Sequence, residues 1–225
     1  MLGGVGADAW LVSARESGAV DDHGGIALFL VEAGAPGLEV TPTPLHDGSL
    51  AATLTLAGVP ARRIEGDGLA ALEEGLAHAV CALCAELVGA MGRATELAGE
   101  YLHTRKQFGV TIGSFQSLQH RIADMAAELE LARSMLFVAL AAMENETGAQ
   151  RAVALAGAKV FITGAARSVC GQAIQLHGGI GVTEECAVGH YFKRAVVADA
   201  LLGGRTLHER ACAEHLQREM AGAAA

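Results

Sequence analysis

All four prolines of this 225-residue chain stand at positions 36, 42, 44 and 60, and none follows. Proline removes a backbone donor and clashes with the preceding helical turn, so a long proline-free run is free to be helical while the first sixty residues are punctuated by turns. From Leu69 onward Ala, Leu, Glu and Arg dominate. Leu69, Leu72, Leu76, Ala79, Leu83, Leu87 and Met91 recur every three or four residues, the spacing of one helical face, and predict a helix running to about Leu102. A second stripe, Phe115, Leu118, Ile122, Met125, Leu129, Ala132 and Leu136, has His120, Arg121, Asp124 and Glu128 opposite it, with Ser114 as its expected N-cap. A third helix is expected over about 149–176 with Gly178-Gly179 as its stop, a fourth from a cap at Thr183 to about Leu202, and a last over roughly 206–220, with 221–225 fraying. Four or five long helices joined by short loops make an antiparallel up-down bundle of the four-helix kind.

The proline-bearing part has the opposite grammar. Gly24-Gly25, Ala35-Pro36-Gly37, Asp47-Gly48 and Asp67-Gly68 separate short runs rich in β-formers at 9–12, 26–31, 38–41 and 51–56. In 52–56, Ala-Thr-Leu-Thr-Leu, apolar and polar residues alternate as in a strand with one face on a core. The fold class is therefore α+β, mainly α: a partial antiparallel β-domain over 1–65 followed by a helical bundle over 66–225. Sixty residues of short strands bury little by themselves, so the first part reads as a piece of a larger sheet.

Charge and composition narrow the function. A net charge of −9, from 25 acidic and 16 basic side chains, excludes a broad nucleic-acid surface but leaves room for a small anion pocket. Five cysteines at scattered positions fit a reducing compartment rather than a disulfide framework, and no run of 18 uninterrupted apolar residues predicts a membrane span. The expectation is a cytoplasmic protein. Cys81 and Cys84 have CxxC spacing but sit within an amphipathic stripe with no second pair, so they read as core, and no metal site is expected.

Two segments concentrate chemistry. Between the first two helices, residues 105–116 hold Arg105, Lys106, Gln107, Phe108, Gly109, Gly113, Phe115 and Gln116 where a bundle needs only a turn. A guanidinium beside glycine backbone suits a diphosphate, because Arg supplies forked donors and Gly permits close approach; equally, Arg105 and Lys106 can complement a helix C-terminus that Gly109 ends. Between the third and fourth helices, Gln175-Leu176-His177-Gly178-Gly179-Ile180-Gly181 gives either backbone access for a ligand or a tight helix–helix turn.

The order and spacing of Tyr101-x3-Arg105-x-Gln107-Phe108-Gly109, Ile112-Gly113-x-Phe115-Gln116, Ala123-Asp124-Met125 and Gln175-x-His177-Gly178-Gly179-x-Gly181 resemble the C-terminal half of acyl-CoA dehydrogenases. The resemblance covers essentially the whole chain and is that of a truncated member, lacking the N-terminal helical domain and the start of the β-domain. It implies FAD bound across a subunit interface, α,β-dehydrogenation of an acyl-CoA thioester, an electron-transfer flavoprotein or similar acceptor, and a homo- or heterotetramer. Carried over by position, Arg105 meets the FAD pyrophosphate of a neighbouring subunit with Phe108 beside it, Gln116 hydrogen-bonds the same cofactor, and Gln175, Leu176, His177, Gly178 and Gly179 form the loop that accepts its adenine-dinucleotide portion. The two places where the family carries its catalytic Glu hold Gly203 and Ala79 here. The remaining acids on neighbouring elements, Glu86 and Glu185, read as structural. With that loss, the pattern Phe115-Gln116-x3-His120-Arg121-x-Ala123-Asp124-Met125, His177-Gly178-Gly179-Ile180-Gly181 and Lys193-Arg194 resembles the bacterial branch in which some members form heterotetramers and only one subunit type bears the base. The alternative function is thus a non-catalytic, flavin-sharing subunit. Leu131, Phe137 and Val138, off the main stripe of the second helix, are the expected contacts to another chain.

Overall fold

The computed structural model describes residues 2–223 and divides them into two compact units, the first ending at Leu76 and the second starting at Ala77. In the first unit β1 (Ala9–Arg15), β2 (Ile26–Glu32) and β5 (Arg62–Ile64) form an antiparallel sheet in the order β1-β2-β5, while β3 (Leu38–Pro44) and β4 (Leu50–Leu56) form a hairpin. Trp10 opposes Val31 in the register of β1 and β2, and both are buried with Ala27 and Leu28, so strand alternation builds a small core. Leu2 bridges Ala51 at the hairpin's edge, an attachment that the opening residues did not announce; Met1 lies outside the described residues. The 3-residue β5 is too short to show a period in the sequence. Arg15 fixes the β1–β2 loop, its guanidinium donating to the carbonyls of Ser17, Val20, Asp22 and Gly24.

The helices follow the apolar stripes and outrun them at most ends: α1 (Gly68–Thr104), α2 (Gln116–Asn145), α3 (Gly148–His177), α4 (Ala187–Ala200) and α5 (Arg205–Ala223). Asp67 caps α1, its carboxylate accepting from the backbone N–H of Leu69 and Ala70 at 3.1 Å. Two expected caps are corrected. The Ser114 hydroxyl donates to Thr111 O at 2.7 Å inside a 3-10 turn, and Phe115 stands at the N-cap of α2 without a side-chain bond. Thr183 likewise donates back to Ile180 O at 2.8 Å, ending the 3-10 turn Gly178–Val182, and Cys186 precedes α4. Each hydroxyl satisfies a carbonyl behind it rather than an amide ahead. The expected fraying tail is helical to Ala223, and 224 and 225 lie outside the described residues.

The second unit is organised around α3, whose buried Leu155, Ala158, Ile162, Ala166, Val169, Cys170 and Ala173 meet Leu87, Met91 and Ala94 of α1 and Met125, Leu129 and Ala132 of α2 in one core. Each large apolar side chain so buried contributes roughly 1.5–3 kcal/mol. Cys81 and Cys84 belong to this core, and burial pushes the Cys84 thiol up to about 12. By length and mean hydropathy, α1 and the segment Gly148–Val182 could each cross a membrane; here each contributes to the bundle core, through Leu83, Leu87 and Met91 in the one and Ile162, Val169 and Ala173 in the other.

Two polar bonds set the direction of α2 against α3. Arg121 Nη1 donates to Gln172 Oε1 at 2.7 Å, and Ser168 Oγ donates to Glu128 Oε1 at 3.2 Å. The α3 number falls as the α2 number rises, so the pair is antiparallel and the start of α2 lies beside the end of α3.

Candidate functional site

Arg105 directly follows α1. Its backbone N–H donates to Tyr101 O at 2.9 Å, and its carbonyl accepts from Ile112 N at 2.8 Å, which turns the chain back on the helix end. The return is a minimal hairpin absent from the sequence reading, with Lys106 and Gln107 paired to Thr111 and Val110. Phe108 and Gly109 make its turn at φ 53° and 83°, two left-handed residues in succession, the geometry that a two-residue hairpin needs. This strained turn holds the Phe108 side chain 91% exposed, edge-on to Phe115 at a centroid distance of 6.2 Å. Gly113 closes the loop against α1, where a Cβ would stand 2.8 Å from Leu102 O.

Gln116 opens α2 five residues before Arg121, about 7.5 Å along the axis at 1.5 Å per residue. Because Arg121 is bonded to Gln172, that displacement brings Gln116 level with the last turn of α3, where Gln175 and His177 lie. The same end of the bundle receives α1, because the Tyr101 ring stacks on His177 at 4.6 Å and 23°. Arg105 is one helical turn beyond Tyr101. Arg105, Phe108, Gln116, Gln175, Gly178 and Gly179 are all exposed, and they share this end of the helical unit. Leu176 and His177 differ: both are buried, so they can meet a ligand only through their backbone.

The site is electrostatically uncommitted. Among the described residues the Arg105 guanidinium and the side-chain amides of Gln116 and Gln175 have no hydrogen-bond or ion-pair partner, whereas Arg93, Arg121, Arg133 and Arg194 are all bonded. Gly178 ends α3 at φ 64°, and a Cβ at Gly178 or Gly179 would meet nothing within 4 Å, so the turn offers open backbone. Forked cationic donors, two amides, an exposed aromatic ring and accessible main chain are the groups a dinucleotide diphosphate uses, and the residues present fit one.

A proton acceptor is another matter. Gly203 lies in the α4–α5 turn at φ 92°, and its carbonyl accepts from the ammonium of Lys159, so this turn presents main chain. Ala79 is half-buried on α1. Glu86 is held in a forked pair with Arg194 at 2.6 and 2.9 Å. The bond from its own backbone N–H holds Glu185 below the usual carboxylate range, opposite to the raised pKa that suits a base near neutral pH. Lys159 itself escaped the sequence reading. It is 1% exposed, one turn before the equally buried Thr163 on a mainly apolar face, and a lone cation at helical spacing gives no sign of whether it turns inward.

The profile of the acyl-CoA dehydrogenase C-terminal domain matches residues 66–217. The mitochondrial isobutyryl-CoA dehydrogenase of Bos taurus is 33% identical over 226 residues, covering 96% of this chain and 53% of its own length. A solved steroid ACAD variant with the paired designation Tcur3481-Tcur3483 is 34% identical at a TM-score of 0.84, covering 96% of this chain and 57% of that one. The structure named PigA with FAD and proline is 26% identical at a TM-score of 0.83, with 94% and 56% covered. The chain spans about half the length of the curated relatives it matches. A family profile over most of the chain, joined to matching folds in both units, shows that it belongs to the acyl-CoA dehydrogenase family, whose members bind FAD.

Proposed function

We propose that this chain works as part of an FAD-dependent acyl-CoA dehydrogenase, carrying out α,β-dehydrogenation of an acyl-CoA thioester in the cytoplasm and passing electrons to an electron-transfer flavoprotein or a similar acceptor. The observation that carries the reading is the uncommitted cluster at one end of the bundle, where Arg105, Gln116, Gln175 and the Gly178–Gly179 turn are exposed together. FAD bound there supplies the two-electron acceptor for a hydride from the thioester's β-carbon. Arg105 neutralises diphosphate charge, Gln116 and Gln175 donate amide hydrogen bonds, Phe108 covers the cofactor's edge, and the open main chain at Gly178 and Gly179 allows close approach. Residues 1–65 act as the partial β-domain and 66–225 as the bundle. Because these groups face outward, the cofactor is one held mainly by an adjoining subunit in a homo- or heterotetramer. Leu131, Phe137 and Val138, exposed on α2, are offered as contacts in that assembly.

A second reading, a flavin-sharing subunit that leaves proton abstraction to a base-bearing partner, is favoured by a specific observation. Gly203 and Ala79 carry no titratable group, and the Gly203 turn is occupied by Lys159. The test is oxidised-flavin absorbance of the purified protein, alone and after mixing with a base-bearing acyl-CoA dehydrogenase chain. Bleaching by an acyl-CoA in the protein alone supports a self-sufficient dehydrogenase, and bleaching only in the mixture supports the sharing subunit. Protein that stays colourless with added FAD in both cases refutes both readings.

A further inference from the structure

We infer that Tyr101 and His177 are a positioning pair that sets the register between the two halves of the candidate dinucleotide face, resting on the reading above that this face binds FAD. The face is assembled from separate pieces of chain: the hairpin after α1, which carries Arg105 and Phe108, and the end of α3, which carries Gln175 and the Gly178 turn. Two segments so far apart in sequence hold a fixed separation only if something near the site joins them. The Tyr101–His177 stack does so one residue before Gly178 and one helical turn before Arg105.

The His177 ring is immobilised from three sides. Its Nδ1 lies 2.8 Å from Ala173 O, and because a carbonyl only accepts, that nitrogen carries the proton and donates. Tyr101 covers one ring face with an interplanar angle of 23°. Gly181 closes behind it, where a Cβ would come within 2.9 Å of His177 Cβ and 2.6 Å of Ile174 O, so only glycine lets the 3-10 turn fold back this tightly. A ring locked in this way and 9% exposed is not placed to contact a ligand. It transmits position: its backbone continues into Gly178, while Tyr101 O receives the N–H of Arg105. Tyr101 therefore reaches both halves, one through its carbonyl and the other through its ring.

The experiment is a double-substitution cycle on FAD affinity, followed by quenching of flavin fluorescence in the full-length assembled protein. Stacked aromatic pairs contribute enough that Tyr101→Ala is expected to weaken FAD by roughly two- to tenfold. Tyr101→Phe, which keeps the ring, and His177→Phe, which restores an aromatic face, are expected to stay within about twofold of the wild type. Loss of register also makes Arg105 less useful, so Arg105→Met should cost a smaller factor in the Tyr101→Ala background than alone. Losses that multiply independently, or a Tyr101→Phe variant as weak as Tyr101→Ala, overturn the inference. If Tyr101→Ala fails to fold, His177→Phe and Tyr101→Phe each paired with Arg105→Met decide it, equal Arg105 factors in all backgrounds with weakened affinity in the aromatic variants counting against register. A wild-type assembly that binds no FAD removes the functional reading and the pair's role together. A wild type that binds FAD, with affinity sensitive to Arg105 and indifferent to Tyr101→Ala, removes only the pair.

Discussion

Replacing Lys159 by Met tests how the α4–α5 turn is held. Its ammonium donates to the carbonyls of Asp199 and Gly203, and the side chain is almost wholly out of solvent. Met keeps most of the stem volume and removes the donor. Two partly buried carbonyls then lose their partner, at about 1–3 kcal/mol each, while the burial penalty of the ammonium is relieved and offsets part of that loss. The net expectation is about 1–2 kcal/mol of destabilisation; Lys159→Ala should cost a further ~2 kcal/mol because the stem's packing is lost as well. At about 2–4 °C per kcal/mol for a unit of this size, the Lys159→Met variant melts roughly 2–8 °C lower by far-ultraviolet circular dichroism. The pH dependence gives an independent sign. Burial lowers the Lys159 pKa in the folded state, so above that value and up to the ordinary lysine range the unfolded chain binds more protons. The wild type therefore gains stability as pH rises through that window and loses it as pH falls through the folded pKa, and the Lys159→Met variant lacks this limb. A Met variant that melts at or above the wild type would refute the claim that the ammonium holds the turn.

Gly25→Ala forces a Cβ to 2.1 Å from Ser17 O at φ 78° and should destabilise the β-unit by about 2 kcal/mol or more, read from the fluorescence of the chain's single tryptophan, the buried Trp10. Burial lowers the pKa of His208, whose Nε2 donates to Leu202 O at 3.0 Å, so the wild type should lose stability as pH falls from 6.5 through the folded pKa. His208→Gln should flatten that acid limb in urea titrations run at several pH values. Phe108→Ser, at a side chain 91% exposed, should leave the melting temperature within about 1 °C while weakening FAD; a large fall in melting would mean that its edge contact with Phe115 stabilises the fold and that the ring's role is structural.

Much of this arrangement is legible in the sequence, for identifiable reasons. The stripes from Leu69 to Met91 and from Phe115 to Leu136 are strict enough that the helices follow, because one apolar face has to meet a core. The exposed members of the candidate site stand out in the sequence for a different reason: residues 105–116 gather cations, amides, aromatics and glycines in a connection where a bundle needs only a turn. What stays hidden depends on direction. Ser114 and Thr183 have suitable cap chemistry, but their hydroxyls turn back to the carbonyls of Thr111 and Ile180. Lys159 differs from an exposed lysine only in which side of α3 meets α4. The stacking of Tyr101 on His177 joins residues 76 apart in number, 177 less 101, and no local pattern encodes it.

The most direct measurement is FAD binding by the wild-type assembly beside the Arg105→Met variant, with melting followed on the same samples. The Arg105 guanidinium is exposed and has no hydrogen-bond or ion-pair partner among the described residues, so its removal should leave the fold intact and the melting temperature without FAD unchanged. Loss of a charge-assisted, forked contact to a diphosphate should weaken FAD by about tenfold or more. Equal affinity in the two proteins, or no FAD taken up by either, would contradict the assignment of this end of the bundle to the flavin.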